Sequence, residues 1–149
     1  MKYTSGRIKQ IHVLKFENND DFIAELKNFI RKEKIKTAFF MFLGALKKGD
    51  LVSGPKKPVI PPVPFWHSFD NAWEVFGVGS VFAGSGNEPQ IHIHSSLGRG
   101  KKVKMGCVRK NARVFFVIEA LVMELSGINA VKKADLKTGL NMLNIISGK

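Results

Sequence analysis

The sequence predicts an α/β fold of the α+β kind: a mixed, largely antiparallel, twisted sheet with one main helix packed on it. Three observations carry that reading. Only one stretch, residues 22–30, repeats its apolar side chains at clean helical spacing. Most other apolar residues fall in alternating or continuous short runs, as strand residues do. Clusters of glycine, proline, asparagine and aspartate separate those runs and supply the turns.

Residues 6–16 alternate loosely, with Ile8, His12, Leu14 and Phe16 on one parity and Ile11 and Val13 on the other. This predicts a strand with both faces partly covered. His12 falls mid-strand, where a hydrogen-bonded histidine is a better reading than a ligand. Residues 18–21, Asn-Asn-Asp-Asp, supply helix caps, after which Phe22, Ile23, Leu26, Phe29 and Ile30 share one helical face. Arg31, Lys32 and Lys34 put positive charge at its C-terminal end, where the helix dipole favours it.

The apolar run from Ala38 to Leu43 predicts a strand buried on both faces, with Gly44 marking a bulge or close approach. Residues 47–50 are expected to turn the chain into a short strand around Leu51 and Val52. Five prolines between positions 55 and 64 preclude helix and central strand, and predict a surface loop. Residues 65–69 and 73–82 are expected as two strands around a turn at Asp70 and Asn71. Gly77 and Gly79 share a face there, leaving room for a bulky neighbour. Residues 84–87 are a loop, since no P-loop lysine follows them. A long strand is expected over residues 113–125, with Val114, Phe116, Ile118, Ala120 and Val122 on one face. Phe115, Val117, Leu121 and Met123 line the other around Glu119, whose carboxylate among apolar neighbours calls for a partner. Residues 134–146 have apolar side chains but no clean period, and their structure stays open.

Between the last two strands lies the stretch with chemistry. If residues 90–97 form a strand, His92 and His94 point the same way and can grip one metal ion. The glycines at 98 and 100 read as a hairpin turn. With Arg99 and Gly100 as a two-residue loop, the register sets His92 opposite Cys107 on the same face; a three-residue loop would turn Cys107 away. Two imidazoles and a thiolate suit zinc or another divalent transition metal, with a fourth position left to water, Glu119 or a ligand. Against this stands the plainer reading of a hydrogen-bonded histidine pair and a small buried thiol. His67 is the reserve ligand.

At 149 residues the chain suits one domain, 1–149, with a core over about 7–146. No apolar run is long enough for a membrane span, and the N-terminus lacks a signal-peptide core. The single cysteine allows no internal disulfide, which agrees with a reducing, cytoplasmic setting. The net charge of +12 favours non-specific attraction to phosphate. Its densest run, 99–113, offers Arg99, Lys101, Lys102, Lys104, Arg109 and Lys110 as nucleic-acid contacts. No recognition helix is apparent. The apolar strands offer more surface than one helix can cover, which predicts self-association.

Taken together, the Phe-Leu-Gly-Ala-Leu segment, the Trp-Glu-Val-Phe-Gly-Val-Gly-Ser strand, Ile-His-Ile-His-Ser-Ser-Leu-Gly-Arg-Gly and Val-Ile-Glu-Ala-Leu-Val-Met-Glu-Leu resemble the plants-and-prokaryotes-conserved (PPC) domain over residues 7 to about 146. That resemblance implies a homotrimer of a mixed sheet with a helix on one side. It also implies a metal site at His-X-His and a later residue, here Cys107. Plant members carry AT-hook DNA-binding motifs beside the domain; prokaryotic ones are usually the domain alone and are commonly called DNA-binding. No AT-hook is present here, because residues 98–102 lack its Arg-Gly-Arg-Pro core and fall in a hairpin.

The sequence therefore supports a small metal-holding domain with a DNA-binding or regulatory role. The domain is also similar in fold to acetolactate decarboxylase, a zinc enzyme. The alternative is accordingly a small zinc-dependent enzyme, with Glu119 as proton carrier. No complete set of nucleophile, base and oxyanion donors is readable, which weighs against it.

Overall fold

In the computed structural model, which describes residues 1–146, the elements run β1 (Arg7–Glu17), α1 (Phe22–Lys32), β2 (Thr37–Pro55), β3 (Pro64–Ala83), β4 (Pro89–Arg99), β5 (Lys102–Ser126), β6 (Ala130–Asp135) and β7 (Leu140–Ile145). The first five strands form one sheet in the order β1-β5-β2-β3-β4, with every pairing antiparallel. β4 pairs a second time with β5, so at one end β2, β3, β4 and β5 close on one another. The fold is the mainly antiparallel sheet with one helix that the sequence predicts.

The helix forms where its caps and its apolar stripe agree. Asp21 is the N-cap and accepts from the Ala24 amide at 3.1 Å. At the other end Lys34 takes φ +55, and the Lys34 and Ile35 amides bond back to Arg31 and Ile30. This is the paired C-terminal closure usually built on glycine. Phe22, Leu26 and Ile30 are fully buried against the sheet, each contributing about 1.5–3 kcal/mol. Phe22 meets Phe42 at 4.7 Å between ring centroids, and Phe16 at 5.0 Å edge to face.

Two expected turns are absent because bulges absorb their residues. β2 runs straight through positions 47–50 and β3 straight through Asp70 and Asn71. Leu46 pairs with Trp73 and Lys48 with Asp70, so Lys47 on one strand and Asn71 and Ala72 on the other are the unpaired residues. Asn71 adopts φ +66, and the Trp73 indole closes the bulge by donating to the Asp70 carbonyl at 2.7 Å. Asp50 ties the strands together here, accepting from the Ser68 hydroxyl at 2.7 Å and the Asn111 amide at 2.6 Å.

The face assignments need a matching correction. In β2, Ala38, Phe40 and Phe42 are buried, but Phe39, Met41 and Leu43 are 47%, 42% and 54% exposed, so the described residues cover only one face of this strand. In β5 the alternation breaks at Phe116, which has φ +58 and is 72% exposed instead of sharing the Val114 face. There Ala45 pairs with Phe115 and Gly44 with Ile118, leaving Phe116 and Val117 as the inserted residues. Gly44 has φ +138, and a Cβ on it would stand 2.2 Å from the Val117 carbonyl oxygen.

The open residues of the tail form the β6–β7 hairpin. Its turn is held by the Asp135 carboxylate, which accepts from the Lys137 and Thr138 amides. Asn141 donates to the Gln90 side chain at 3.1 Å, fixing the hairpin to β4.

Candidate metal centre

β4 alternates as its sequence requires. Ile93, Ser95 and Leu97 are buried, while His92 is partly buried and His94 exposed on the opposite face. Across the β3–β4 pairing, Gly77 and Gly79 stand opposite Ser95 and Ile93. A Cβ on either glycine would meet the ring of Phe42 or Phe40 within 2.3 Å, so the expected bulky neighbours are those two phenylalanines.

The hairpin loop is Gly100-Lys101, not Arg99-Gly100: Arg99 pairs with Lys102, Gly98 with Val103, and Ser95 with Gly106. Gly100 at φ +58 supplies the positive dihedral that a glycine-first two-residue turn needs. The register is shifted by two residues from expectation, which brings Cys107 alongside His94 instead of His92. An even shift keeps every side chain on its face. Cys107 is also paired on its other side, with Val52 of β2.

The three side chains converge. The Nε2 atoms of His92 and His94 are 3.2 Å apart, and Cys107 Sγ lies 3.6 Å from His92 Nε2 and 3.3 Å from His94 Nε2. Tetrahedral zinc with ordinary bond lengths would space two such nitrogens by about 3.3 Å, and a nitrogen and sulfur by about 3.6 Å. The donor set and its spacing therefore fit one ion. Burial, the neighbouring His94, and then Lys132 and Arg109 hold the His92 imidazole below its ordinary pKa, favouring the neutral ring a metal takes. Burial pushes the Cys107 thiol up, and Arg109 opposes that shift by charge and hydrogen bonding.

Other sequence candidates lie elsewhere. Glu119 is exposed and pairs with Lys15 and Leu43; it is not part of the three-residue cluster. On its sheet row, β2 and β3 stand between it and β4. His67 pairs with Leu51, which pairs with Val108, so it belongs to the face opposite Cys107; its ring packs on Phe65 at 4.5 Å. His12 packs edge to face on Phe29, and its buried Nε2 has no hydrogen-bond partner among the described residues. Among the basic candidates, Arg99, Lys101 and Lys102 project at the hairpin tip. Lys104 and Lys110 lie over the rings of Trp73 and Trp66, each at 5.6 Å. Lys102 and Lys110 are eight strand residues apart, about 26 Å, so the run is not one compact patch.

Beside His92 is a cleft of about 490 Å³ between the start of β4 and the β6–β7 hairpin. Arg109 and Lys132 line it. Sequence reasoning missed Lys132, because only the fold brings the tail back to β4.

The Plants and Prokaryotes Conserved (PCC) domain matches residues 3–126. The metal-containing protein from Archaeoglobus fulgidus has a similar structure, with a TM-score of 0.84 and 21% identity over 97% of this chain and 99% of that one. The plant- and prokaryote-conserved (PPC) protein of Pyrococcus horikoshii gives a TM-score of 0.83 and 23% identity, covering 99% of each chain. A protein from Ralstonia eutropha named "Putative DNA-binding protein" gives 0.75 and 17% over 90% of each. These likenesses establish the fold. No curated protein is significantly similar in sequence.

Proposed function

Because the chain belongs to the Plants and Prokaryotes Conserved family, we propose that it is a metal-holding domain that assembles as a homotrimer and acts in DNA binding or in regulatory assemblies. The observation that carries the reading is the His92, His94 and Cys107 triangle, whose edges match a single tetrahedral ion. The metal-containing relative from Archaeoglobus fulgidus supports it. We assign one zinc ion per chain. When bound, such an ion supplies positive charge and Lewis acidity at a fourth position that the chain's own trio leaves free. A reducing compartment such as the cytoplasm keeps Cys107 available as a ligand.

Elemental analysis after zinc reconstitution tests the site. Wild type should hold one equivalent, and His92→Ala, His94→Ala and Cys107→Ala should each lose most of it. Full retention in all three variants, or no metal in the wild type, would falsify the assignment.

The DNA reading rests on the net charge of +12, on the exposed cations of the hairpin tip and on the names of similar structures. Such binding is indifferent to sequence and steep in salt. Neutralising Lys101, Lys102 and Lys104 should lower the slope of log affinity against log salt by about 0.9 for each phosphate that the protein ceases to neutralise. Tight binding that survives both high salt and those substitutions would contradict it.

A further inference from the structure

Arg109 reaches the His92 cleft for a structural reason. Asp50 pairs with Lys110 and Leu51 with Val108, so Arg109 is the extra residue of a bulge in β5. A bulge re-aims the side chain it carries. Lys132 arrives from β6 on the tail hairpin, and both cations act on His92.

Neither cation is neutralised by a carboxylate among the described residues. There the ion pairs join Lys9 to Glu124, Lys15 to Glu17, Arg31 to Glu88 and Arg113 to Asp21. No described carboxylate lines the cleft. Two unpaired cations converging on one concavity create a positive field that low-dielectric walls concentrate. The floor adds a different chemistry. Leu140, Met142 and Leu143 supply apolar surface, while the Asn141 amide donates to the Gln90 side-chain oxygen. A volume of about 490 Å³ suits a small molecule and is too small for a folded partner.

We propose that this cleft binds a small organic anion, carrying a carboxylate or phosphate group on a short apolar body. The anionic group sits between Arg109 and Lys132 at the His92 edge, and the apolar body lies on the tail hairpin. The ligand thus occupies the rim of the metal centre, which deepens the metal-holding reading and rests on it for the meaning of the location. The binding itself needs only the two cations and the cleft.

Ligand-observed NMR on the full chain tests this with phenylacetate, phenyl phosphate and the uncharged benzyl alcohol, on zinc-loaded and metal-stripped protein. At least one anion should bind ten-fold or more tightly than benzyl alcohol, and the tighter of the two identifies the class. Arg109→Gln with Lys132→Gln should remove that preference. Arg109→Lys with Lys132→Arg, which keeps both charges, should retain most of it and shows that loss is not misfolding. Equal binding of all three probes, or an anion preference unchanged in the glutamine double variant, overturns the proposal. Anion preference that depends on both cations in a protein that takes up no zinc upholds the cleft and refutes the metal reading, so the two fail separately.

Discussion

Gly77 and Gly79 decide how closely β3 approaches β4, and through it where the histidines stand. A Cβ at Gly77 would lie 2.3 Å from Phe42 and 2.8 Å from the His94 carbonyl oxygen; at Gly79 it would lie 2.2 Å from Phe40 and 2.8 Å from the His92 carbonyl oxygen. The backbone contacts leave no flexible atom to give way. Gly79→Ala should therefore cost about 1–3 kcal/mol, the usual penalty of overpacking, and should weaken zinc binding as well. Urea denaturation and a zinc competition titration check the two effects. This pair was legible in the sequence, since two glycines of one parity in a strand of large residues mean that something bulky fills the gap. The His92–His94 pairing was legible by the same parity. Cys107 was legible only in part: its facing followed from a two-residue loop, but the register was shifted by two, and parity forgave the error.

The loop does not act alone in placing Cys107. Its strand is paired on one side through Ser95 and Gly106 and on the other through Val52, so the sheet holds the thiol facing the imidazoles. One glycine inserted after Gly100 should consequently leave zinc stoichiometry unchanged, the extra residue bulging at the tip. Loss of the metal would mean that the turn sets the register. The bulges that sequence reasoning took for turns at 47–50 and 70–71 are tied by Asp50, whose carboxyl the Ser68 hydroxyl and then the Asn111 amide hold below its ordinary pKa. A depressed carboxylate stabilises the fold above its unfolded pKa, and that contribution is lost as the pH falls through the folded value. Asp50→Asn should thus show a smaller drop in melting temperature between pH 6 and pH 3 than wild type. An equal drop would remove Asp50 from the account. Asn, Asp and Gly signal a local reversal in dihedral angle, and a bulge and a turn use that reversal alike. Only the pairing of distant strands tells them apart.

At the scale of the molecule, cross-strand pairing lays the uncovered face out in rows that end at the two histidines of the candidate metal centre. Ile11, Met123, Phe39, Ser80 and His92 form one row, and Val13, Leu121, Met41, Val78 and His94 the next. Val13 is 78% exposed and Val78 47%, so the second row is a strip of apolar side chains with only its histidine end polar. An exposed apolar strip of that kind is the surface that the proposed trimer would cover. The sequence showed more apolar strand surface than one helix covers and so predicted self-association, but it read residues 38–43 as buried on both faces and could not tell which face α1 takes. Light scattering should give wild type three times the 16.6 kDa chain mass at micromolar concentration. Met41→Glu with Phe76→Glu places charge in the strip and in the row beside it, where Phe76 pairs with Leu43, without touching the helix-covered core, and should yield a folded monomer. A monomeric wild type would sink the trimer, and a double variant that stays trimeric would move the interface elsewhere. Zinc content of the dissociated variant then separates assembly from coordination. His92, His94 and Cys107 come from one chain, so the monomer should still take up one equivalent, and loss of the metal on dissociation would mean that a neighbouring chain completes the site.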